Sequence, residues 1–258
     1  MADTRILVGG ADARATATEI ILPVMRGIVG IWYPTDDGPT SIQNWLDGGA
    51  DASVVGTPTY GAGYVRSPDG SNRISTGLAE TLASTLYCAW RSSAAFSSSS
   101  TRPIPFGIFR SQSSGFAGTS IRVTATPSSA PAATVALSAA RDNSGTPTLL
   151  DAAITVADAS AWNLIVGRVK DGAVTGARHI KNWTTGVEAS ADAATGRTLA
   201  NTSGGTNILS IGNNSSLSYG TCDVACAILA NVAHTDAEVA ANVAAIREAL
   251  AFDHSITV

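Results

Sequence analysis

Short runs of apolar or alternating residues recur along the whole chain, and clusters of Gly, Ser, Asn, Asp and Pro separate them. Runs of this kind between turn-forming residues are typical of β-strands. They predict ten strands, near residues 28–33, 60–66, 83–91, 104–110, 117–126, 133–140, 160–169, 174–181, 207–212 and 222–232. The regular strand–helix–strand rhythm of parallel sheets is not seen in the sequence. The predicted fold class is therefore all-β, a two-sheet antiparallel β-sandwich.

One segment near the C-terminus has the pattern of a helix instead. In HTDAEVAANVAAIREAL, Thr235 and Glu238 have the spacing of a capping box, in which each side chain satisfies a backbone N–H of the other residue. Apolar residues then recur at helical spacing and form one stripe, made of Val239, Val243, Ile246 and Leu250. We predict one helix at about 235–251 that closes one side of the sandwich.

Length and charge limit the domain organisation and the partners. The chain has 258 residues, a formal net charge of −4 and 14% charged residues. This length suffices for a single sandwich domain over residues 28–258, and residues 1–27 are predicted to form an arm that docks onto a neighbouring subunit. Basic residues are scattered singly, without the stripe that binds nucleic acid or anionic membranes. We therefore expect no nucleic-acid or membrane partner.

The N-terminal region lacks the features of a targeting or membrane segment. The most apolar stretch, IILPVMRGIVGIWY at residues 20–33, is too short to span a bilayer and contains Pro23 and Arg26. The first residues carry charges at Asp3 and Arg5 and have no apolar run of signal-peptide length. The sequence predicts neither a transmembrane segment nor a signal peptide.

Two cysteines four residues apart, followed by a histidine, make TCDVACAILANVAH similar to a metal or redox site. If this segment is a strand, Cys222, Val224, Cys226 and Ile228 share one face, and the two cysteine Cα atoms lie about 13 Å apart. A disulfide requires less than about 7 Å, and the ligands of one zinc ion must come similarly close. We predict that both thiols are core residues, with His234 outside the core at the start of the helix.

Several segments resemble the concanavalin A-like lectin/glucanase family, in particular its laminin-G-type domains. NILSIGNN, YGTCDVACAILANV and HTDAEV are similar to the strand, long strand and short capped helix with which those domains end. WNLIVGRV followed by VTGARHIKNWTTGVE is similar to the family's consecutive strands and hairpin, and SIQNWLDGGADASVVGTPTYGAGYV to its opening segment. The resemblance covers about residues 28–251 and implies a lectin-like jelly roll.

Related domains are common in tailed-bacteriophage virions, so the resemblance implies a virion location. We expect a non-enzymatic virion or surface protein, such as an adhesin, spike or fibre component, that binds host-cell glycan. Two alternatives stay open. One is a purely structural decoration or assembly protein that contacts other virion subunits, and the other is a polysaccharide-degrading glycosidase. Homo-oligomer formation also stays open.

Catalytic groups are not evident in the sequence. The glucanase relatives use carboxylates that alternate along one strand, because an acid and a nucleophile must flank the scissile bond. The five glutamates of this chain are isolated from one another, at Glu19, Glu80, Glu188, Glu238 and Glu248. No Gly-x-Ser-x-Gly elbow accompanies the three histidines. We predict no catalytic residue, and therefore that the protein is not an enzyme.

Two groups of residues are predicted to bind ligand. Strand alternation puts His179 and Lys181 on one face, with Trp183 at the following turn, and such a polar and aromatic patch suits a sugar. The alternative is that these residues form an ordinary solvent-exposed face beside a hairpin tip and bind no ligand.

A rim loop, NNSSLSYG at residues 213–220, supplies a second group, Asn213, Asn214 and Tyr219, although these residue types also suit an ordinary turn. No cofactor is predicted. Calcium is used by some relatives, but TDDG at residues 35–38 has no EF-hand spacing and is read as an acidic turn.

Overall fold

The computed structural model describes residues 22–35, 37–67, 69–92, 96, 98, 101–112, 115–125, 131–143, 146–193, 198–200, 206–213 and 220–258. Its elements are, in chain order, β1 (Ile28–Trp32), α1 (Gly38–Ser41), β2 (Ser53–Val55), β3 (Thr59–Gly61), β4 (Tyr64–Ser67), β5 (Arg73–Ala79), β6 (Ser84–Arg91), β7 (Phe106–Gly107), β8 (Arg110–Gln112), β9 (Gly115–Ala117), β10 (Thr119–Ala125), β11 (Ala133–Asn143), β12 (Thr146–Val156), β13 (Asn163–Val169), β14 (Arg178–Asn182), β15 (Glu188–Ala191), β16 (Thr198–Leu199), β17 (Ile208–Ile211), β18 (Cys222–Ala230) and α2 (Asp236–His254).

Two antiparallel sheets of eight strands each form the sandwich. The first, called here the helix-side sheet, has the order β15-β14-β13-β6-β18-β4-β3, with β1 also paired to β18. The second sheet has the order β12-β11-β10-β7-β17-β5-β2, with β16 paired to β11. A small ribbon of β8 and β9 accompanies them. This architecture confirms the predicted all-β sandwich.

Large apolar side chains fill the space between the two sheets. Trp32, Trp90 and Ile165 of the helix-side sheet are fully buried in one cluster with Phe106 and Leu137 of the second sheet. Since side chains alternate across a strand, each sheet turns one set of residues toward this space. Burial of a large apolar side chain contributes roughly 1.5–3 kcal/mol, so this layer is the main source of stability.

Helix α2 forms a third layer on the outer face of the helix-side sheet. Thr235 is its N-cap, and Glu238 completes the predicted capping box. The predicted stripe is buried against Tyr87 and Leu164 of the sheet, through Val239, Val243, Ile246 and Leu250. The predicted closing helix is therefore confirmed. None of the described helices is both long and apolar enough to cross a membrane.

Residues 22–27 run beside α2 of the same chain. The backbone of Val24 exchanges two hydrogen bonds of 3.0 Å with the side chain of Asn242. The guanidinium of Arg26 contacts the Glu238 carboxylate at 2.7 Å. The rest of the predicted arm, residues 1–21, lies outside the described residues, and its docking onto a neighbouring subunit stays a prediction.

A β-bulge interrupts β18 between Val224 and Cys226, where the pairing with β6 shifts by one residue. A bulge reverses the alternation of side chains on its two sides. Cys222 therefore faces the core between the sheets with Val224, whereas Cys226 faces α2 with Ile228. The prediction that these four residues share one face is wrong for this reason. Both thiols are fully buried, which confirms their assignment to the core.

The structure also corrects the prediction for His234, which is only 2% exposed. The Tyr87 hydroxyl lies 2.6 Å from Nδ1 of His234, and Nε2 lies 2.7 Å from the carbonyl oxygen of Arg26. The prediction that His234 lies outside the core is wrong, because these two distant segments of the chain close over it.

Several strand boundaries differ from the sequence pattern. Residues 60–66 belong to a hairpin of β3 and β4, whose turn includes Gly63 at a φ of +74°. Residues 174–177 lie outside any strand, so β14 begins only at Arg178. Five strands, β2, β5, β12, β15 and β16, were not predicted from the sequence.

Candidate functional site

The hairpin of β13 and β14 brings three of the predicted binding residues together. His179 and Lys181 are alternate residues of β14, so both project from the face of the sheet that carries α2. Ile180, between them, points into the core between the sheets. Trp183 follows directly after the strand and packs against the cluster beneath α2. The predicted alternation therefore holds over this part of the strand.

These three residues line a cleft of about 220 Å³ beside the start of α2. Arg168 enters it from β13, directly opposite His179, and Glu188 enters from β15, directly opposite Lys181. Asp236, the first residue of α2, closes the third side. The remaining lining is apolar and comes from Val166 and Val239. The cleft thus combines five charged or polar side chains with a small apolar surface.

Arg168 holds the polar groups of the cleft in place. Its guanidinium donates to the carbonyl oxygen of His234 at 3.1 Å and to Nδ1 of His179 at 2.9 Å. It also contacts the Asp236 carboxylate at 2.5 Å. This hydrogen bond is the main reason that the pKa of Asp236 lies below its usual value. Arg168 therefore ties the sheet to the first turn of the helix.

His179 is neutral near pH 7. An arginine can only donate, so Nδ1 of His179 accepts and the ring proton lies on Nε2, which faces the Glu188 carboxylate at 3.6 Å. Burial lowers the pKa of His179, and the nearby Arg168 cation lowers it further. The histidine consequently offers the cleft an uncharged ring.

Lys181 connects the aromatic and acidic sides of the cleft. Its Nζ lies 3.2 Å from the Glu188 carboxylate and 4.6 Å from the centre of the Trp183 ring. A cation above an aromatic face is attracted by the electron density of the ring. Among the described residues, the buried indole Nε1 of Trp183 has no hydrogen-bond acceptor.

The charges of the cleft balance. Arg168 and Lys181 are cations, Glu188 and Asp236 are anions, and His179 is uncharged. Carboxylates accept hydrogen bonds from hydroxyl groups, and the two cations donate to them. Such a site can bind a small neutral molecule that carries several hydroxyl groups.

The other predicted binding residues lie elsewhere. Asn213 is fully buried, and its side chain is engaged with the N–H of Ile104 and the carbonyl oxygen of Gly220, at 2.7 and 2.8 Å. We assign it to support of the rim loop rather than to ligand contact. Asn214 and Tyr219 lie outside the described residues, so their role in binding stays a prediction.

Sequence reasoning missed Arg168, Glu188 and Asp236. The alternation of side chains along a strand could have indicated Arg168, because Val166 and Arg168 lie two residues apart and therefore on the same face of β13. Asp236 lies in the predicted first turn of the helix, but the sequence does not indicate that this turn lies against β13. Only the pairing of β14 with β15 brings Glu188 opposite Lys181.

The structure gives no support for a metal centre in the residues that it describes. No group of three His, Cys, Asp or Glu side chains there is arranged to hold a metal ion. Asp37 accepts a hydrogen bond of 2.7 Å from the N–H of Thr40 and caps α1, as an ordinary acidic turn does. Its neighbour, Asp36, lies outside the described residues.

Comparisons with known proteins define a fold class. No protein-family model matches the chain, and no curated protein matches it. Among solved structures, the chain is similar to a Trypanosoma rangeli sialidase in complex with sialic acid, with a TM-score of 0.56 and 12% identity over 86% of this chain and 33% of that chain.

Two toxin domains are also similar to this chain. The binding domain of botulinum neurotoxin DC in complex with SialylT has a TM-score of 0.51 and 10% identity over 85% of this chain and 51% of that chain. The receptor binding domain of botulinum neurotoxin D has a TM-score of 0.50 and 8% identity over 86% and 53%. The chain thus spans about a third of the sialidase and about half of each toxin domain. At these identities the likeness shows the β-sandwich fold alone.

Proposed function

We propose that this protein is a non-enzymatic glycan-binding protein and that the cleft between the β13–β14 hairpin and α2 is its binding site. The observation that carries the proposal is the balanced set of donors and acceptors around Trp183, Val166 and Val239. A sugar presents hydroxyl groups in its plane and C–H groups on its faces, so it needs both kinds of surface.

The size of the cleft favours one sugar unit. Its volume of about 220 Å³ is below the roughly 300–1,000 Å³ of most small-molecule pockets. Because the charges of the cleft cancel, they give no net attraction to an ionic ligand, which favours a neutral sugar. The names of similar structures, a sialidase with sialic acid and a toxin binding domain with SialylT, support carbohydrate as the ligand class in general.

The electrostatics of the cleft argue against glycosidase chemistry. A general acid needs a carboxyl group whose pKa is raised toward neutrality. The hydrogen bond from Arg168 instead lowers the pKa of Asp236. We therefore keep the proposal of binding without hydrolysis. The resemblance of the sequence to virion lectin-like domains supports a location on a phage particle, where the protein would contact host glycan.

A glycan array that includes bacterial surface polysaccharides tests the proposal. The wild-type protein should bind a subset of neutral glycans, and Trp183→Ala should weaken that binding at least tenfold. Phe252→Ala is a control, because Phe252 is an aromatic residue of α2 that is 76% exposed and lies outside the cleft. Silence of the wild-type protein across the array would contradict binding.

Two further measurements test the remaining parts. Incubation with the bound polysaccharide should release no reducing ends, and release would contradict the non-enzymatic assignment. Antibody labelling of intact particles in the electron microscope should place the protein on an exposed surface. Labelling confined to disrupted particles would contradict a role in host attachment.

A further inference from the structure

A row of three charged side chains crosses the helix-side sheet at some distance from the cleft. Asp223 of β18 pairs directly with Arg66 of β4 on one side and Arg91 of β6 on the other. Its carboxylate accepts from Arg66 at 2.6 and 2.9 Å and from Nε of Arg91 at 3.1 Å. The carboxylate is 2% exposed, whereas the two arginine side chains are 38% and 32% exposed. The buried anion thus fixes two exposed cations.

The β-bulge in β18 produces this arrangement. Without an extra residue, regular alternation would place Asp223 on the opposite face from Cys226. The shift between Val224 and Cys226 instead leaves Cys222 and Val224 facing the core and puts Asp223 beneath the arginines. Bulges commonly re-aim side chains in this way next to functional sites.

Two aromatic rings border the arginines. The guanidinium of Arg91 lies 4.5 Å from the centre of the Trp162 ring and 5.2 Å from that of Tyr64. The guanidinium of Arg66 lies 5.7 Å from the Tyr64 ring. Stacking on the rings restricts the arginines, so less conformational freedom is lost when they bind an anion. We call Tyr64, Arg66, Arg91, Trp162 and Asp223 the arginine platform.

The arginine platform keeps donors and positive charge that the described residues do not use. Nε of Arg91 donates to the Asp223 carboxylate, and no partner is found among the described residues for the two terminal nitrogens of Arg91. Arg66 likewise uses Nε and one terminal nitrogen for Asp223 and keeps the other. Two cations against one anion leave a net charge of +1. A planar carboxylate matches such paired N–H groups better than a point-like charge does.

We propose that the arginine platform is a second binding site, which takes a carboxylated sugar unit of an acidic polysaccharide through Arg91 and Arg66. The sugar carboxylate accepts from the free terminal nitrogens, and the sugar ring lies against the exposed parts of Tyr64 and Trp162. This site goes beyond the neutral-glycan cleft and does not depend on it. The two sites lie toward opposite ends of β6. Arg168 of the cleft pairs with Thr85, and Thr85 lies about 20 Å along this strand from Arg91.

Calorimetric titration with trigalacturonate tests the proposal, with the carboxyl-reduced trisaccharide as the neutral probe. The wild-type protein should bind trigalacturonate at least tenfold more tightly than the reduced sugar or sodium sulfate. Arg91→Gln should weaken that binding at least tenfold. Arg122→Gln should leave it unchanged, because Arg122 also stacks on a ring, that of Phe109, and pairs with Asp151, but lies on the second sheet.

Two outcomes would overturn the proposal. Equal binding of the acidic and reduced sugars would exclude recognition of the carboxylate, and binding no tighter than that of sulfate would leave only a general anion site. Unchanged binding by Arg91→Gln would place the acidic sugar elsewhere. The variant Trp183→Ala separates the two sites, because it should lose neutral glycans and keep trigalacturonate. Circular dichroism should show that each variant is folded.

Discussion

Arg168 and His179 face each other across β13 and β14, with a guanidinium nitrogen 2.9 Å from Nδ1 of the imidazole. This contact joins a permanent cation to a titratable ring at the centre of the cleft. Protonation of His179 would put two positive charges together and would remove the acceptor of the hydrogen bond. The neutral form of His179 is therefore part of the native site.

We predict that NMR titration gives His179 a pKa below its ordinary value of 6.5. Burial is the larger cause and Arg168 the second, so Arg168→Gln should raise the pKa of His179 relative to the wild type. Glu188→Gln should lower it, because that carboxylate stabilises the protonated ring. A wild-type pKa at or above 6.5, or no response to Arg168→Gln, would contradict this electrostatic description.

Removal of the buried His234 should destabilise the fold. His234→Ala removes the 2.6 Å partner of the Tyr87 hydroxyl, which then keeps only the 3.5 Å contact from Asn242, and the 2.7 Å partner of the Arg26 carbonyl oxygen. We expect a loss of about 2–4 kcal/mol in the free energy of unfolding, since each unsatisfied buried group costs about 1–3 kcal/mol. Denaturant titration measures it. Val174→Ala, at a site 36% exposed, should stay within about 0.5 kcal/mol of the wild type.

The same histidine should make stability depend on pH. Burial lowers the folded-state pKa of His234 below the 6.5 of the unfolded chain. The unfolded chain therefore binds the proton first, so stability is fully present above pH 6.5 and is lost as the pH falls through the folded pKa. Unfolding curves at several values between pH 5 and 8 should show this decrease, and His234→Gln should reduce its slope. An equal slope in the variant would assign the effect to other groups.

The buried ion pair of Glu80 and Arg141, at 2.7 Å, should be sensitive to removal of either partner. Arg141→Met leaves the Glu80 carboxylate buried with Thr119 and Asn207 as its remaining donors. We expect a loss of about 3–5 kcal/mol. The double variant Glu80→Leu/Arg141→Met should lose less, because no uncompensated charge remains. A loss equal to the sum of both single changes would contradict coupling of the two residues.

The three cysteines should be inert in the folded protein. All are fully buried, and burial raises the pKa of Cys226 to about 12 and the pKa of Cys222 and Cys88 above the ordinary thiol value. Thiolates react with disulfide reagents and thiols do not. A chromogenic thiol reagent should label no cysteine in buffer and all three in denaturant. Rapid labelling in buffer would contradict the burial of these thiols.

The regular parts of the fold could be predicted from the sequence because they follow local periodicity. Alternation put His179 and Lys181 on one face, and the spacing of Thr235 and Glu238 predicted the capped helix. Alternation failed between Val224 and Cys226, because nothing local to β18 signals the bulge.

The remainder of the site depends on contacts between distant segments. Asp236 reaches Arg168 only when α2 docks on the sheet, and His234 is buried only when Arg26 covers it. The arginine platform was missed for the same reason, because three separate strands contribute Arg66, Asp223 and Arg91.

Chemical-shift mapping tests the neutral-glycan site most directly. Isotope-labelled wild-type protein is titrated with the neutral oligosaccharide that binds best on the glycan array. We predict that the backbone amides of Arg168, His179, Lys181 and Trp183 shift in a saturable manner, together with the indole Nε1–H of Trp183. Those of Arg91 and Asp223 should not move. Saturable shifts confined to residues outside the cleft, or no shifts at all, would contradict the assignment of this cleft as a glycan site.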